Sequence, residues 1–496
     1  MDIAVRKRFT LAPLAALLLG LSAVCFMVFA DTSSAAVPAG LGCQSTDGKI
    51  SGRGSTYQIK MQEKYAQLYS EDICGKVAAQ YAGDPAGETM VAYDYPNAKL
   101  TGSGNGEKAA SCRTDTFAGT DVPYTQAQLL ELNETPGKEA GGAAKCPKTT
   151  EPAGFQPPFE PKSEPWPGVK DIAAKVMSVP IGGSSVAIAL HLTTGTGGSC
   201  PTTELPIEVN LTPKEVSRLY GGDYLTWNAA ELVANNPELK ECSGAITRVV
   251  RQDSSGTTNI LKQYLIRVDN ARTGAECKGE GNTLHNWEAY FTTNTEWPGK
   301  QHPGTEGNCS NIVTGAASGG PELIKKLQET VGGIGYIDLA EVPTGVIIAN
   351  VETALATGEF VAPSEGGEAA NCSFSTLSLP GSNAESAVGL NTADDWSNNN
   401  QTANPGKANH ENATDLGSKY PICGLTFDLV YEGLHENNLS GEGAISRLTA
   451  DQRRTLYSYF TFILSSTGQH ALPKIHYAEL PGAWLPKLQS GFQTKF

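Results

Sequence analysis

The sequence RQDSSGTT at residues 251–258, followed by NILKQYLI at 259–266, determines how the whole chain is interpreted. The first part is short and polar and contains a glycine. In the second part, the apolar positions recur with the spacing of a helix that has one buried face. Either Ser254 or Ser255 is a suitable N-cap for that helix. The stretch therefore predicts a polar loop that leads directly into a helix N-terminus.

The groups gathered at this helix start suit an anion. Backbone N–H groups and the positive end of the helix dipole lie there. Ser255 and Thr257 add hydroxyls, and Arg251 adds a guanidinium that fits a tetrahedral oxyanion with two hydrogen bonds. An ordinary capped surface helix with an arginine nearby has the same pattern, so this stretch alone leaves both interpretations open.

Composition and charge restrict the classes of function. The chain has 496 residues, 40% hydrophobic and 18% charged, which is typical of a globular protein with two or three domains. Its formal net charge is -15. This charge argues against general binding to nucleic acid or to an anionic membrane. An anionic ligand must therefore be held by local geometry, against the overall field.

The N-terminus has the pattern of a secretion signal. Basic residues at 6–8 precede an apolar run at 11–30, and small residues at 34–36 form a plausible cleavage site. We therefore interpret residues 1–36 as a signal peptide and expect the rest of the chain to lie outside the cytoplasm. An uncleaved membrane anchor is the alternative, because about twenty apolar residues can span a bilayer.

Cysteine usage agrees with export. Of eleven cysteines, one falls in the signal, and an even number in an exported chain predicts disulfides. Neither the cysteines nor the scattered histidines have the spacing of a zinc site, so we expect no metal. Sequential pairing gives loops of modest closure entropy. The expected pairs are Cys43–Cys74, Cys112–Cys146, Cys200–Cys242, Cys277–Cys309 and Cys372–Cys423.

Short strands alternate with helices along the chain, which predicts the α/β class. The clearest strands are expected at 185–192 and 425–431, and the clearest helices at 59–69, from Thr212 onward, and at 451–464. Two segments interrupt this alternation. Residues 136–169 are predicted to be a long surface loop, and residues 363–417, rich in Gly, Ser and Asn, a poorly ordered insertion.

Four stretches, taken in order, resemble one family. They are GRGSTY at 52–57, TGSG at 101–104, TDVP at 120–123 and RQDSSGT at 251–257. Together they are similar to the periplasmic phosphate-binding receptor of high-affinity phosphate ABC transporters. The resemblance runs from about residue 50 to the C-terminus. Further matches are LTP at 211–213, LYG at 219–221, WN at 227–228, GIGYI at 333–337 and YPI at 420–422.

The resemblance implies an α/β fold of the type 2 periplasmic-binding-protein kind, with two lobes, a ligand cleft and two crossover strands. Lobe one is expected at 44–192 plus 424–496, and lobe two at 193–423, which includes the low-complexity insertion. The chain is expected to cross near Leu192 and to return near Cys423.

The resemblance also implies the ligand contacts. Carried over position by position, the phosphate-binding residues are Thr56, Tyr57, Ser103, Asp121, Arg251, Ser255, Gly256 and Thr257, and Asp253 pairs with the arginine. Tyr57 stands where the family more often has phenylalanine. The family uses that position mainly through its backbone N–H.

The chemistry of phosphate is consistent with this set. Phosphate carries at least one proton near neutral pH, so a fitted site needs donors for the bare oxygens and one acceptor for the proton. Asp121 is the expected acceptor. Sulfate brings no proton, so it would meet Asp121 as an unpaired like charge, at a cost of several kcal/mol. The alternative role for Asp121 is to cap a helix at 122–132.

The expected function is capture of inorganic phosphate and delivery to an ABC permease, by a monomer without cofactor. Arsenate is a chemical mimic that the sequence does not exclude. A secreted phosphatase is the alternative from another class, but it needs metal ligands or an activated nucleophile. No histidine lies near Ser55 or Ser255 within the motifs.

Overall fold

A mixed sheet of eleven strands runs through the described part of the chain. The structure is a computed structural model, and all the residues described belong to one compact unit, Ala39–Phe496. The predicted signal peptide, the loop at 136–169 and a helix at 123–132 lie outside the described residues. Those described are 48–75, 90–93, 102–112, 115–122, 176–200, 208–269, 297, 312–313, 318–353, 358–375, 377, 379, 388, 417–433, 448 and 450–496.

The strands are short, apart from two. In chain order they are β1 Ile50–Gly54, β2 Val91–Tyr93, β3 Phe117–Thr120, β4 Val176–His191, β5 Val209–Leu211, β6 Thr247–Val249, β7 Ile312–Val313, β8 Gly333–Asp338, β9 Ile347–Glu352, β10 Phe360–Val361, β11 Ser364–Glu365, β12 Ala369–Ala370 and β13 Cys423–Tyr431. The strands β11 and β12 form a separate hairpin.

Helices pack around this sheet. They are α1 Ile59–Leu68, α2 Ser103–Cys112, α3 Pro213–Gly221, α4 Ala230–Asn235, α5 Gly256–Asp269, α6 Gly320–Gln328, α7 Ala450–Ile463, α8 Ser466–Gln469 and α9 Leu485–Lys495. The main path of the sheet has the order β2-β1-β3-β13-β4-β8-β6-β7, and β9 pairs with β4, β5 and β10.

The strand β4 connects the two halves of the sheet. It pairs with β13 over Val176–Ser185 and with β8 over Val186–His191, both antiparallel. The predicted strand at 185–192 is only the end of this longer element. Nearly all of β4 is buried. Because both faces are covered, its apolar residues lie on either side of the Gly-Gly-Ser-Ser at 182–185 without regular alternation, so no such pattern marks where the strand begins.

Within each half, parallel strands end at the same edge. The first half contains β1 between its parallel neighbours β2 and β3, and the second contains β6 between β7 and β8. Loops that follow parallel strands collect at the carboxyl edge of the sheet. The polar stretches after β1 and β3 therefore share one edge. Because β3 and β8 run in opposite directions on either side of β13 and β4, the polar stretch after β6 faces that edge.

Local signals explain the helix boundaries. At the start of α3, Thr212 and Glu215 form a capping box, with Pro213 as the first helical residue. The same helix ends at Gly222, whose φ of 80° suits glycine. The predictions of α1 and α7 are also confirmed, within a residue or so at each end.

Two predicted disulfides are confirmed. Cys200 is bonded to Cys242, and Cys372 to Cys423. Cys74 is also disulfide-bonded. The other predicted pairs involve residues outside the described part of the chain. Pairing of near neighbours among the cysteines therefore predicted both of the bridges that can be checked.

The beginning of the predicted insertion is more ordered than its composition indicates. Residues 363–375 include the hairpin β11–β12 and Cys372, which is tied to the first residue of β13. Asn371 adds two bonds, from its side chain to Ala362 O at 3.0 Å and from Tyr420 N–H to its carbonyl at 2.9 Å. The covalent anchor offsets the weak propensity of this polar sequence. Most of 376–416 lies outside the described residues.

Among the residues described, no helix is both long enough and apolar enough to cross a membrane.

Candidate functional site

The four predicted stretches meet between the two halves of the sheet. Gly102 N–H bonds Gly54 O at 2.6 Å, and Asp121 N–H bonds Ser103 Oγ at 3.1 Å, which joins the first three stretches. Gly104 N–H reaches Ser254 O at 3.1 Å, which brings in the fourth. The predicted contact residues therefore share one site, although they come from positions up to 200 residues apart.

Glycine at 102 allows the close approach of the second and fourth stretches. Its φ is 107°, in a region that other residues rarely adopt. A Cβ there would lie 2.5 Å from Asp253 Oδ2 and 2.9 Å from Ser254 O. The absence of a side chain lets the loop after β6 pack directly against the start of α2.

Arg251 follows β6 and is buried, with 3% of its surface exposed. Its Nε donates to Asp253 Oδ1 at 2.6 Å, and a terminal nitrogen donates to the other carboxylate oxygen. The remaining terminal nitrogen donates to Thr56 Oγ1 at 3.2 Å. Burial lowers the pKa of Arg251, but Asp253, Tyr336 and Glu341 together raise it by more, so the guanidinium stays charged. Arginine has five N–H donors, and contacts within the described part of the chain use three of them, which leaves two for an anion.

Thr56 has a hydroxyl oriented by its neighbours. Its Oγ1 accepts hydrogen bonds from Arg251 at 3.2 Å and from Gly320 N–H, the first residue of α6, at 3.4 Å. Both bonds use the oxygen as acceptor, so the hydroxyl proton of Thr56 is left to donate. The bonds also connect Thr56, which follows β1, to two elements of the other half of the sheet.

Tyr57 makes contacts beyond the backbone role predicted for it. Its backbone N–H donates to Ser55 Oγ at 3.1 Å, so an anion would share that donor with the cap. The hydroxyl, which phenylalanine lacks, donates to Ser184 O on β4 and lies 3.2 Å from Gly424 O on β13. Burial, and then the carboxylates of Asp338 and Asp121, raise the pKa of this phenol well above its usual value. The hydroxyl therefore remains protonated and attaches the site to both crossing strands.

The N-terminus of α5 forms the other side of the site. Ser255 caps the helix, because its Oγ accepts from Thr258 N–H at 3.2 Å. The predicted residues Gly256 and Thr257 occupy the first turn, where N–H groups have no partner within the helix. Of the two candidate caps, the structure therefore selects Ser255 rather than Ser254.

Asp121 lies opposite this helix end and is 2% exposed. Its Oδ1 accepts from Ser55 Oγ and from Thr426 Oγ1, both at 2.6 Å. Its Oδ2 is 2.5 Å from Ser55 Oγ and 3.2 Å from Ser103 Oγ. A Cβ on Gly256 would lie 2.3 Å from Asp121 Oδ2. The second oxygen of the carboxylate thus faces the first turn of α5.

Burial raises the pKa of Asp121 to about 6. The hydrogen bonds from Ser55, Thr426 and Ser103, and the charge of Arg251, act in the opposite direction. The carboxylate is therefore ionised at neutral pH and becomes protonated in mildly acidic solution. As a proton acceptor beside a helix N-terminus and an arginine, it suits an oxyanion that carries its own proton. Whether Asp121 caps a helix at 122–132 is not tested, because residues 123–132 lie outside the described part.

Several functional neighbours are absent from the predicted set. Ser55, Thr426 and Gln58 support Asp121, and Glu341 lies near Arg251. Ser55 stood within a quoted stretch. Thr426 was marked only by being polar, together with Asp428, inside a mostly apolar strand. Nothing local in the sequence indicated Glu341.

Glu341 introduces a second carboxylate near the site. It ends a short turn after β8, and a Cβ on Gly320 would lie 2.0 Å from its Oε2. Burial raises the pKa of Glu341 to about 7, and Glu63 adds to the rise, while Arg251 and Lys60 oppose it. The group therefore gains negative charge as the pH increases through neutrality.

We expect Glu341→Gln to strengthen binding of phosphate, the ligand predicted from the sequence, by roughly three- to tenfold at pH 8, because a like charge near the anion is removed. At pH 6, where Glu341 is mostly protonated, variant and wild type should bind equally. Titration calorimetry at both pH values measures this. Glu329→Gln, at the far end of α6 and paired with Lys326 at 3.5 Å, is the matched control and should change neither affinity. Equal affinities of the Glu341 variant and the wild type at pH 8 would show that Glu341 does not act on the ligand.

The mixed α/β sheet and its strand order are those of the type 2 periplasmic-binding-protein fold. Residues 167–400 match the family model described as the PBP superfamily domain. A phosphate-binding protein from Stenotrophomonas maltophilia superposes with a TM-score of 0.51 at 16% identity, over 89% of this chain and 93% of that one. PfluDING, a high-affinity periplasmic phosphate-binding protein solved with phosphate bound, gives 0.51 at 19% identity, with the same coverage. The predicted fold class is thereby confirmed.

Sequence comparison identifies the particular relatives. The phosphate-binding protein PstS of Xylella fastidiosa, strain Temecula1, is 27% identical over 309 residues. The match covers 60% of this chain and 65% of that relative. The protein of strain 9a5c is 26% identical with the same coverage. The predicted resemblance to phosphate-binding receptors is confirmed by these matches.

Proposed function

We propose that this protein is an extracytoplasmic receptor that binds inorganic phosphate and delivers it to the permease of an ABC transporter. One observation carries the proposal. Asp121 Oδ2, a buried acceptor, faces the first turn of α5, within the electrostatic influence of Arg251. An acceptor beside so many donors fits an oxyanion that retains a proton, and phosphate is the abundant anion of that kind. The names of the curated and structural relatives support the same ligand.

The ligand contacts form part of this proposal. We assign hydroxyl donors to Thr56, Ser103, Ser255 and Thr257, backbone donors to Tyr57 and Gly256, and charge to Arg251. Asp253 holds the arginine through two hydrogen bonds. The proposed lobes are 44–192 with 424–496, and 193–423, and the ligand lies where they meet.

The remaining assignments follow from the same class. We propose that the chain acts as a monomer, without metal or cofactor, outside the cytoplasm after export by its N-terminal signal. It would perform no chemistry on its ligand. The membrane permease is the partner, and nucleic acid is not, given the net charge of -15.

Equilibrium dialysis with labelled phosphate tests the proposal. We expect saturable binding of one phosphate per chain, competition by arsenate, and weak competition by sulfate. Incubation with a chromogenic phosphomonoester, which should release no product, tests the phosphatase alternative. Product formation that is proportional to protein and is abolished by mutation of Ser55 would favour the enzyme. Failure to retain phosphate would refute the receptor.

A further inference from the structure

Thr426 lies in the middle of the crossing strand β13 and is fully buried. Its Oγ1 is 2.6 Å from Asp121 Oδ1, across 305 residues of sequence. It does not belong to the proposed ligand contacts. The contact nevertheless links the expected proton acceptor to a strand that pairs with both β3 and β4.

The direction of this hydrogen bond is determined by Gln58. The Gln58 amide nitrogen donates to Thr426 Oγ1 at 2.6 Å and to Phe427 O at 2.8 Å. Thr426 therefore accepts from Gln58, and its single proton is free to point to Asp121. The only other acceptor recorded for that proton among the described residues is Thr120 O, at the longer distance of 3.4 Å.

The orientation of Gln58 is itself fixed from the core. Its Oε1 accepts from the Gln62 amide at 3.2 Å. Gln62 in turn donates to Asp428 Oδ2 at 2.8 Å and accepts from the Tyr459 hydroxyl at 2.8 Å. All these groups are buried. Hydrogen bonds with one direction thus run from α7 through both glutamines and Thr426 to Asp121, and buried networks of this kind specify side-chain orientation.

This network fixes a donor on one oxygen of Asp121. Thr426 donates to Oδ1, the Ser55 hydroxyl lies within hydrogen-bonding distance of both oxygens, and Oδ2 faces Ser103 and the first turn of α5. Hydrogen bonds donated to a carboxylate favour its ionised form. The charged and titratable groups that act on or lie close to Asp121 are Arg251, Asp428 and Tyr57, and Arg251 alone among them is cationic. Much of the stabilisation of the ionised form therefore comes from hydroxyl donors.

We propose that Thr426 is a specificity-determining residue, whose donated hydrogen bond keeps Asp121 an ionised acceptor and so favours protonated phosphate over proton-free sulfate. The inference rests on the proposed phosphate site. Phosphate supplies the proton that an ionised Asp121 accepts. Sulfate supplies none, so Asp121 must first take up a proton from solvent before it can donate to that anion.

The proposal gives sulfate binding a defined pH dependence. Because binding requires a protonated Asp121, sulfate affinity should fall about tenfold per pH unit above the pKa of that group. In the wild type, with the pKa of Asp121 at about 6, this decline should begin near pH 6. Loss of the Thr426 donor removes one group that lowers this pKa, so the decline should begin at higher pH.

Thr426→Val tests this with a side chain of the same shape that lacks the donor. Calorimetric titrations with phosphate and sulfate from pH 5.5 to pH 8.5 should show weaker phosphate binding and stronger sulfate binding at pH 8. The ratio of the two dissociation constants should shrink by about tenfold for each unit that the pKa of Asp121 rises. Thr426→Ala is a second variant without the donor, and its sulfate affinity should also begin to decline at a higher pH than in the wild type.

Two controls separate specificity from a general structural effect. Thr426→Ser restores a hydroxyl. It should return the ratio of the phosphate and sulfate dissociation constants, and the pH at which sulfate affinity begins to decline, towards the wild-type values. Thr455→Val removes another buried threonine hydroxyl, which donates to Asp451 O at 3.1 Å within α7. This variant should change neither the ratio of the dissociation constants nor the pH at which sulfate affinity begins to decline. If Thr426 only positioned Asp121, its loss would weaken the binding of phosphate and sulfate equally, and the decline in sulfate affinity would still begin near pH 6.

The outcomes distinguish this inference from the function on which it rests. Suppose that the wild type binds phosphate, and that the valine and alanine variants keep its ratio of phosphate to sulfate dissociation constants and the pH at which sulfate affinity begins to fall. Thr426 then does not determine specificity, and the proposed receptor function is unaffected. If the wild type binds no phosphate at any pH, the proposed function itself is wrong.

Discussion

Arg251→Ala is expected to remove most phosphate binding. The guanidinium is buried, is held by Asp253 and Thr56, and retains two N–H donors for an anion. Its removal also leaves the Asp253 carboxylate unpaired beside the ligand. The expected loss is roughly 2–5 kcal/mol, as for truncation of one side of a buried charge pair. Isothermal titration calorimetry measures it directly.

A double variant separates the two causes of this loss. Arg251→Ala combined with Asp253→Asn removes both charges of the pair, so the anion meets neither attraction nor the unpaired carboxylate. Thermal unfolding should show that the single variant is destabilised, because a buried charge has lost its partner, and that the double variant recovers much of the loss. Phosphate affinity should remain far below that of the wild type in both. An affinity of the single variant within about threefold of the wild type would exclude Arg251 from the ligand contacts.

The second large effect is expected at Asp121. Asp121→Asn exchanges an acceptor for an amide that also donates. Since Thr426 donates to Oδ1, the amide oxygen should take that position and the NH₂ group should face the first turn of α5. Phosphate then loses an acceptor for its proton and binds more weakly. Sulfate gains a hydrogen-bond donor from the amide and no longer meets the negative charge of the carboxylate.

Discrimination between the two anions should therefore shrink by an order of magnitude or more, given that about 1.4 kcal/mol corresponds to tenfold. The dissociation constants of phosphate and sulfate for both proteins provide the test. Asparagine is also a good N-cap, so the alternative that Asp121 only caps a helix predicts that both affinities stay unchanged. An unchanged ratio of the two constants would support that alternative, and the ligand contacts would then come only from the stretches at 52–57, 101–104 and 251–257.

The sequence predicted those parts of the site that lie on local signals. The helix start at Ser255, the arginine after β6 and the aspartate after β3 could each be predicted from a few neighbouring residues. Their convergence was predicted only through the family resemblance. Parallel pairing places the loops after β1 and β3 at the carboxyl edge of one half of the sheet, and the loops after β6 and β8 at the carboxyl edge of the other. The two pairs run in opposite directions on either side of β13 and β4, so these edges face each other.

What the sequence did not predict depends on contacts between distant residues. Thr426 reaches Asp121 only because β13 pairs antiparallel with β3. The Tyr57 hydroxyl meets Ser184 and Gly424 because β4 and β13 cross beside it. The order at 363–375 depends on a disulfide to β13. Composition and periodicity report local preference, and none of these three features is local.

A crystal structure of the protein with phosphate tests the central claim most directly. The account predicts tetrahedral density at the first turn of α5, with Arg251 and Asp121 Oδ2 both within hydrogen-bonding distance, about 2.5–2.9 Å, of its oxygens. The oxygen nearest Asp121 should be the protonated one. Phosphate bound elsewhere in the molecule, or at this site without contact to Asp121, would contradict the account.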